Sequence, residues 1–298
     1  MTHTLDTLLK APGVIVAPGA YDALSARLAM QAGARAVYMT GFGLSGAMLG
    51  KPDIGLLTAT EMAERATALA EAAAPVPLIA DGDNGHGGPL NAARLTRAYE
   101  RAGAQCIQLE DQVFPKRCGH MEGKEVVPAD EAVARIRASA EARSSRDFKI
   151  MARTDARATD GLDEALRRAD AFLTAGADIL FIEAPASLDE LESIAKRFAG
   201  VPLTANMVED GKTPMVEAAA LEAIGYKIVI YPVSALLAVT KTLETAYAGL
   251  VQGTGLPECQ PRVSFSTYNE RIGLHELASD AADLVGPKRY GVDVEEPV

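Results

Sequence analysis

Cys118 lies in the run Lys116-Arg117-Cys118-Gly119-His120, with two cations before it and an imidazole after it. Positive charge nearby favours thiolate and lowers a thiol pKa. A thiol tuned towards neutrality suits proton transfer at carbon, and Gly119 lets the main chain approach a ligand closely. Read without further context, a C-G-H run is also what a basic loop with an incidental cysteine looks like. The other two cysteines illustrate that reading. Cys106 lies in an apolar run and reads as core, and Cys259 reads as surface. No C-x-x-C or Cys/His spacing fits zinc.

Asp81-Gly82-Asp83 offers a second chemistry. Carboxylates at i and i+2 converge on a divalent cation where a strand exits into a turn. Hard oxygen ligands completed by water suit Mg²⁺ or Mn²⁺. Glu110 and Asp53 are available to join the shell. The competing reading is a turn in which Asp caps the glycine-rich segment Gly82–Gly88. The carboxylates gathered at neighbouring positions weigh towards metal.

These residues need elements to hold them. Eight short apolar runs recur: Val14–Pro18, Ala36–Thr40, Pro77–Asp81, Cys106–Asp111, Lys149–Thr154, Asp178–Glu183, Pro202–Asn206 and Lys227–Pro232. Continuous rather than alternating hydrophobicity marks parallel strands buried on both faces. Between them, Leu90–Ala102 and Asp163–Ala175 space apolar residues three and four apart, as amphipathic helices do. Ala-Gly-Ala at 32–34, 102–104 and 175–177 precedes a strand each time, and Gly there suits a left-handed helix end. Eight such units predict a (β/α)8 TIM-type barrel. An open doubly wound sheet is the alternative, weakened because no glycine-rich dinucleotide fingerprint follows the first strand. Residues 1–250 are assigned to the barrel. Residues 251–298 form a tail, turn-rich over Gly253–Pro261 and helical over Ser266–Val285, that packs on the barrel or on a neighbouring subunit.

The polar residues fall where barrel enzymes keep their chemistry, at the C-terminal strand ends. Thr40-Gly41, Asp81 to Gly88, Glu110-Asp111-Gln112, Arg153-Thr154-Asp155, Glu183 and Asn206 each close a run. Any one alone reads equally well as a solvated loop residue or a cap.

Composition narrows the partners. The chain has 298 residues, with 40 Asp and Glu against 29 Lys and Arg, a formal charge of −11. No basic footprint for nucleic acid is present. Neither is an apolar run long enough to span a membrane, nor a charged n-region with an apolar core of a signal peptide. Three cysteines form no disulfide framework and indicate a reducing compartment, so the cytoplasm is expected.

With these motifs in place, the sequence resembles the isocitrate lyase/phosphoenolpyruvate mutase superfamily from about Ala17 to about His275. Asp81 to Gly88, Glu110-Asp111-Gln112 and Lys116 to His120 carry the resemblance. The K-[KR]-C-G-H signature marks the carbon–carbon lyase branch, which includes isocitrate, 2-methylisocitrate and 2,3-dimethylmalate lyases. The phosphorus–carbon mutases carry a different loop there, so a phosphonomutase is a distant alternative, as is a metabolite-binding barrel without turnover. The stretches Ala47–Gly50, Gly55–Thr58, Asp81–Leu90 and Asn206–Glu209 are similar to the petal death protein group, which cleaves oxaloacetate and 2-alkylmalates. The serine-rich tricarboxylate loop of isocitrate lyase is not visible around Asn206.

The resemblance implies a barrel whose eighth helix is exchanged between subunits, in a homotetramer. It implies Mg²⁺ (or Mn²⁺) held by Asp81 and Asp83, with Asp53 and Glu110 acting largely through water. The substrate is then a small di- or tricarboxylate carrying a 2-hydroxyl, split between C2 and C3. Arg153, Thr40 and Gly41 are expected at its C1 carboxylate, and Gly119, His120 and Asn206 at the carboxylate of the departing half. Cys118 is the expected proton donor to C3, with Lys116 and Glu183 tuning or relaying its proton. Phe42, where the family commonly has Gly or Tyr, and Thr40, where it commonly has Ser, shape the pocket. Hydrolysis or decarboxylation of oxaloacetate on the same site is the alternative activity.

Overall fold

The computed structural model describes residues 4–117, 119, 123–258 and 260–285. Eight strands form: β1 Ile15–Ala20, β2 Val37–Met39, β3 Leu78–Asp81, β4 Cys106–Glu110, β5 Lys149–Thr154, β6 Ile179–Ile182, β7 Thr204–Asn206 and β8 Ile228–Tyr231. Each falls on one of the eight apolar runs. They pair in parallel in the order β6-β5-β4-β3-β2-β1-β8-β7. An isolated parallel bridge between Leu180 and Leu203 joins the two ends of the sheet, so the architecture is the (β/α)8 barrel.

Alternation along the strands builds two cores. On β3, Leu78 and Ala80 face the helices, whereas Ile79 faces the barrel interior. Met151, Phe181, Ile228 and Ile230 fill that interior with it. The interior is closed at the N-terminal strand ends by a short helix, Leu5–Lys10, capped by the Thr4 hydroxyl. Its Leu5 and Leu8 are buried there, and its Asp6 reaches Lys149 at the start of β5 at 2.7 Å. The chemistry is thereby confined to the opposite end.

The helices Pro89–Arg101 and Leu162–Thr174 stand where the spacing predicts them. Gly103, at φ +88°, ends the first in the left-handed conformation that the Ala-Gly-Ala motif implies.

The chain divides into two compact units, Met1–Ala238 and Val239–Val298. The first contains all eight strands. The boundary falls within the helix Ser234–Val251. The single tail helix expected over Ser266–Val285 is in fact two, Phe265–Arg271 and Leu274–Val285. Gly273 at φ +87° interrupts it, which the apolar periodicity alone conceals. Among the described residues no helix is long and apolar enough to cross a membrane.

Candidate active site

The strand exits open onto a cavity of about 260 Å³ lined by Thr40, Phe42, Asp53, Asp81, Glu110, Lys116, Gly119, Arg153, Glu183 and Asn206. Ten of the fourteen residues singled out from the sequence therefore share one cavity. Asp83 stands directly beside it, 2.7 Å from Lys116 Nζ, and Gly41 contacts Asp81 through its N–H at 3.1 Å. Cys118 and His120 lie outside the described residues.

Local structure explains how each group arrives. A π-helical turn, Ser45–Leu49, follows β2. Such turns recur at functional sites. Ser45 Oγ then bonds the carbonyls of Lys51 and Pro52, both at 3.0 Å, which folds the next residue, Asp53, inward. Asp83 adopts φ +49°, unusual for a residue with a side chain. Strained backbone of this kind clusters at functional sites. After β4, residues 111–113 pair with 125–127: Val113 N–H donates to Glu125 O and Val127 N–H to Asp111 O, each at 2.9 Å. Lys116 and Arg117 thus follow one side of a small antiparallel ladder. Gln112 clasps Arg117, accepting from its N–H at 3.0 Å and donating to its carbonyl at 2.8 Å.

Two charged groups organise the site. Lys116 Nζ stands 2.6 Å from Asp53 and 2.7 Å from Asp83 Oδ1. Its pKa is raised, because four carboxylates outweigh the cost of burying it. On the other wall, Arg153 forks onto Asp155 at 2.9 and 3.1 Å. It also reaches Glu183 Oε2 at 3.1 Å and Glu110 Oε2 at 3.4 Å. Asn206 Nδ2 donates to Glu183 at 3.2 Å.

The carboxylates differ sharply in their surroundings. Burial, reinforced by Asp83, lifts Asp81 to about 6. Burial also raises Asp53 and Glu110. Burial works against Asp155 in the same way, yet Arg153 and Lys124 together hold it below the usual carboxylate range.

The structure gives several residues partners other than those expected. Thr40 Oγ1 caps a short helix by accepting from Gly43 N–H at 3.2 Å, and Gly41 N–H is spent on Asp81 rather than aimed at a ligand. The turn reading of Asp81 is also realised: Oδ1 accepts from Asp83 N–H and Gln108 Nε2, both at 3.1 Å. Among the described residues, no three His, Cys, Asp or Glu side chains converge as a ready metal cage.

Mg²⁺ asks for less than a cage: one or two carboxylates and several waters suffice. Six acidic groups (Asp53, Asp81, Asp83, Glu110, Asp155 and Glu183) meet three cations (Lys116, Lys124 and Arg153) in this buried region. Glu110 Oε1 is buried without a hydrogen-bond partner. Burying surplus negative charge is costly, and a divalent cation beside Asp81 and Asp83 relieves it. The residues therefore fit such an ion.

Sequence reasoning missed Tyr38, Gln108 and Lys124, which shape the site, and gave Asp155 no role. Tyr38 donates to Gln108 Oε1 at 2.9 Å and so orients the amide that holds Asp81. Lys124 donates to Asp155 at 2.6 Å. Both Gln108 and Asp155 were visible as polar residues within or just after strands, but their partners lie on other elements.

The phosphoenolpyruvate phosphomutase family matches residues 5–251. The chain is 48% identical to 2,3-dimethylmalate lyase of Eubacterium barkeri, over 91% of this chain and 93% of that one. Its structure resembles oxaloacetate acetylhydrolase in complex with 3,3-difluorooxalacetate, with a TM-score of 0.90 and 34% identity, covering 96% of this chain and 97% of that one. It also resembles phosphonopyruvate hydrolase in complex with oxalate and Mg²⁺, with a TM-score of 0.82 and 31% identity, covering 94% and 97%. With the barrel, the cavity and these similarities in agreement, the chain belongs to the phosphoenolpyruvate mutase/isocitrate lyase superfamily.

Proposed function

We propose that the protein is a Mg²⁺-dependent carbon–carbon lyase that splits a 2-hydroxy dicarboxylate between C2 and C3, giving a 2-oxo acid and a carboxylate. The observation that carries this reading is the division of the cavity. Buried Arg153 stands with Glu183 and Asn206 on one side, Asp81 and Asp83 gather beside Lys116 on the other, and Glu110 lies between them, 3.4 Å from Arg153. Asp81 and Asp83 would hold the metal, assisted by Asp53 and Glu110. When bound, the ion would supply Lewis acidity that eases loss of the 2-hydroxyl proton.

The remaining steps belong to the chain's own side chains. Arg153 grips the C1 carboxylate, since a guanidinium matches a carboxylate in two-point geometry. The 2-hydroxyl loses its proton to the Asp53 carboxylate, which the Lys116 ammonium holds at 2.6 Å. The C2–C3 bond breaks with its electrons passing to C3, and C2 becomes the ketone. Gly119 N–H, His120 and Asn206 hold the carboxylate of the departing half, where enolate charge builds. Cys118 returns a proton to C3, so the two products together equal the substrate. Glu183 relays the thiol's proton, and Thr40, Gly41 and Phe42 shape the wall around C1.

The missing tricarboxylate loop favours four- to six-carbon dicarboxylates over isocitrate. Steady-state kinetics on citramalate, 2,3-dimethylmalate, 2-methylisocitrate and isocitrate tests this. A substrate group that finds no matching pocket costs about 10–200-fold in kcat/KM, so isocitrate should trail the best dicarboxylate by at least that factor. Isocitrate as best substrate would overturn the assignment. Likeness to oxaloacetate acetylhydrolase favours a second reading, hydrolysis of oxaloacetate to oxalate and acetate, which product analysis separates from release of pyruvate and CO2 by decarboxylation.

We further propose a homotetramer in the cytoplasm in which the helix Ser234–Val251 is exchanged between subunits. That 18-residue helix buries only Gly249, while Leu243, Tyr247, Leu250 and Val251 stand exposed. Apolar surface of this extent marks an interaction site. Light scattering should return four times the chain mass; a monomer at micromolar concentration contradicts the exchange.

A further inference from the structure

Gly119 is pressed against the ion pair on the cavity wall. A Cβ there would meet Arg153 Nη2 and would lie 2.7 Å from Glu183 Oε2. Its carbonyl accepts from Lys124 Nζ at 2.5 Å. The same ammonium donates to Asp155 Oδ1 at 2.6 Å, and Asp155 in turn forks onto Arg153. A chain of polar contacts thus runs from Arg153 through Asp155 and Lys124 to Gly119, which packs back against Arg153. The Lys124 side chain is 2% exposed and that of Asp155 is fully buried. Asp155 is itself pinned, because its N–H donates to Asp111 Oδ1 at 2.8 Å. Asp111 is held by Thr154 at 2.7 Å and by Arg168 at 3.1 Å.

We propose that Lys124 is a positioning residue for the lyase reaction: through Asp155 and the Gly119 carbonyl it holds the Gly119 main chain against Arg153, and so serves the departing carboxylate, where charge builds as the C2–C3 bond breaks. The inference rests on the proposed lyase activity. Lys124 touches no reacting atom. Its ammonium is buried and shared between one carboxylate and one carbonyl, so no other side chain of the same length replaces both bonds. Without it, the Gly119 carbonyl loses its anchor and the Gly119 main chain can shift, whereas Arg153 keeps its fork on Asp155 and its grip on the substrate. Loss should therefore fall on the transition state rather than on ground-state binding. A displacement of about 1 Å in such a group costs on the order of 10²-fold.

Lys124→Met keeps the stem and removes the ammonium. On the substrate that the wild type turns over best, kcat should fall on the order of 10²-fold, while KM stays within about threefold. Hydrogen–deuterium exchange should quicken in the peptide containing Gly119 and stay unchanged elsewhere in the barrel. A kcat near that of the wild type, or a rise in KM that accounts for the whole loss, overturns the proposal. If Lys124→Met does not fold, Lys124→Arg takes its place. It keeps the charge but not the geometry, and should show a smaller fall in kcat at unchanged KM; wild-type kcat there overturns the proposal equally. If the wild type turns over none of the diacids, the lyase reading fails instead. The exchange measurement then still decides whether Lys124 anchors Gly119, with unaltered exchange counting against it.

Discussion

At the scale of single residues, the enzyme divides its labour between binding and proton transfer. In the proposed reaction Arg153 and the carboxylate group bind, and Cys118 moves a proton. Serine is close to cysteine in size but a far weaker acid, so Cys118→Ser should fold and bind substrate normally. General acid catalysis is worth about 10²–10⁴-fold, and kcat should fall by that range with KM little changed. Stopped-flow or coupled detection of the keto acid measures it. A Cys118→Ser enzyme at near wild-type rate removes the thiol from the mechanism. Most of the site was legible at this scale because its residues close the apolar runs. The run Arg153-Thr154-Asp155 announced itself in this way, yet the role of Asp155 did not. Its partner Lys124 lies 31 residues away, and only the packing of β4 beside β5 brings them together.

At the scale of elements, the strands hold the site by buried ion pairs at their exits. Asp155 shows how this depends on pH. Folded, its carboxyl titrates below the ordinary value of 3.8, because Arg153 and Lys124 outweigh its burial. Its stabilisation is therefore complete above that ordinary value and is lost as pH falls through the lower folded value. Breaking a buried pair costs about 3–5 kcal/mol. Asp155→Asn should accordingly lower Tm by roughly 6–20 °C at neutral pH, at about 2–4 °C per kcal/mol. The gap from the wild type should hold down to about pH 4 and narrow below it. Melting curves across pH decide the matter, and a gap that widens in acid contradicts the assignment. The strands themselves were readable because burial on both faces leaves a continuous apolar signature. The break at Gly273 was not, because Leu274 and Leu277 continue the apolar spacing across it.

At the scale of the whole molecule, the two ends of the barrel do different work. The N-terminal helix seals one end with Leu5 and Leu8, and the strand exits gather six carboxylates and three cations at the other. In the proposed reaction, an acidic chain with a charge of −11 meets its anionic substrate through Arg153, Lys116 and the proposed metal ion in that one cavity. The central claim is metal-dependent scission of C2–C3, and one measurement tests it most directly. The enzyme is incubated with 2,3-dimethylmalate in the presence of Mg²⁺ or of excess chelator, and the products are identified by proton NMR. Metal-dependent scission predicts pyruvate and propionate in equal amounts with Mg²⁺ and none with chelator. Full turnover in excess chelator, or loss of substrate without those two products, contradicts it.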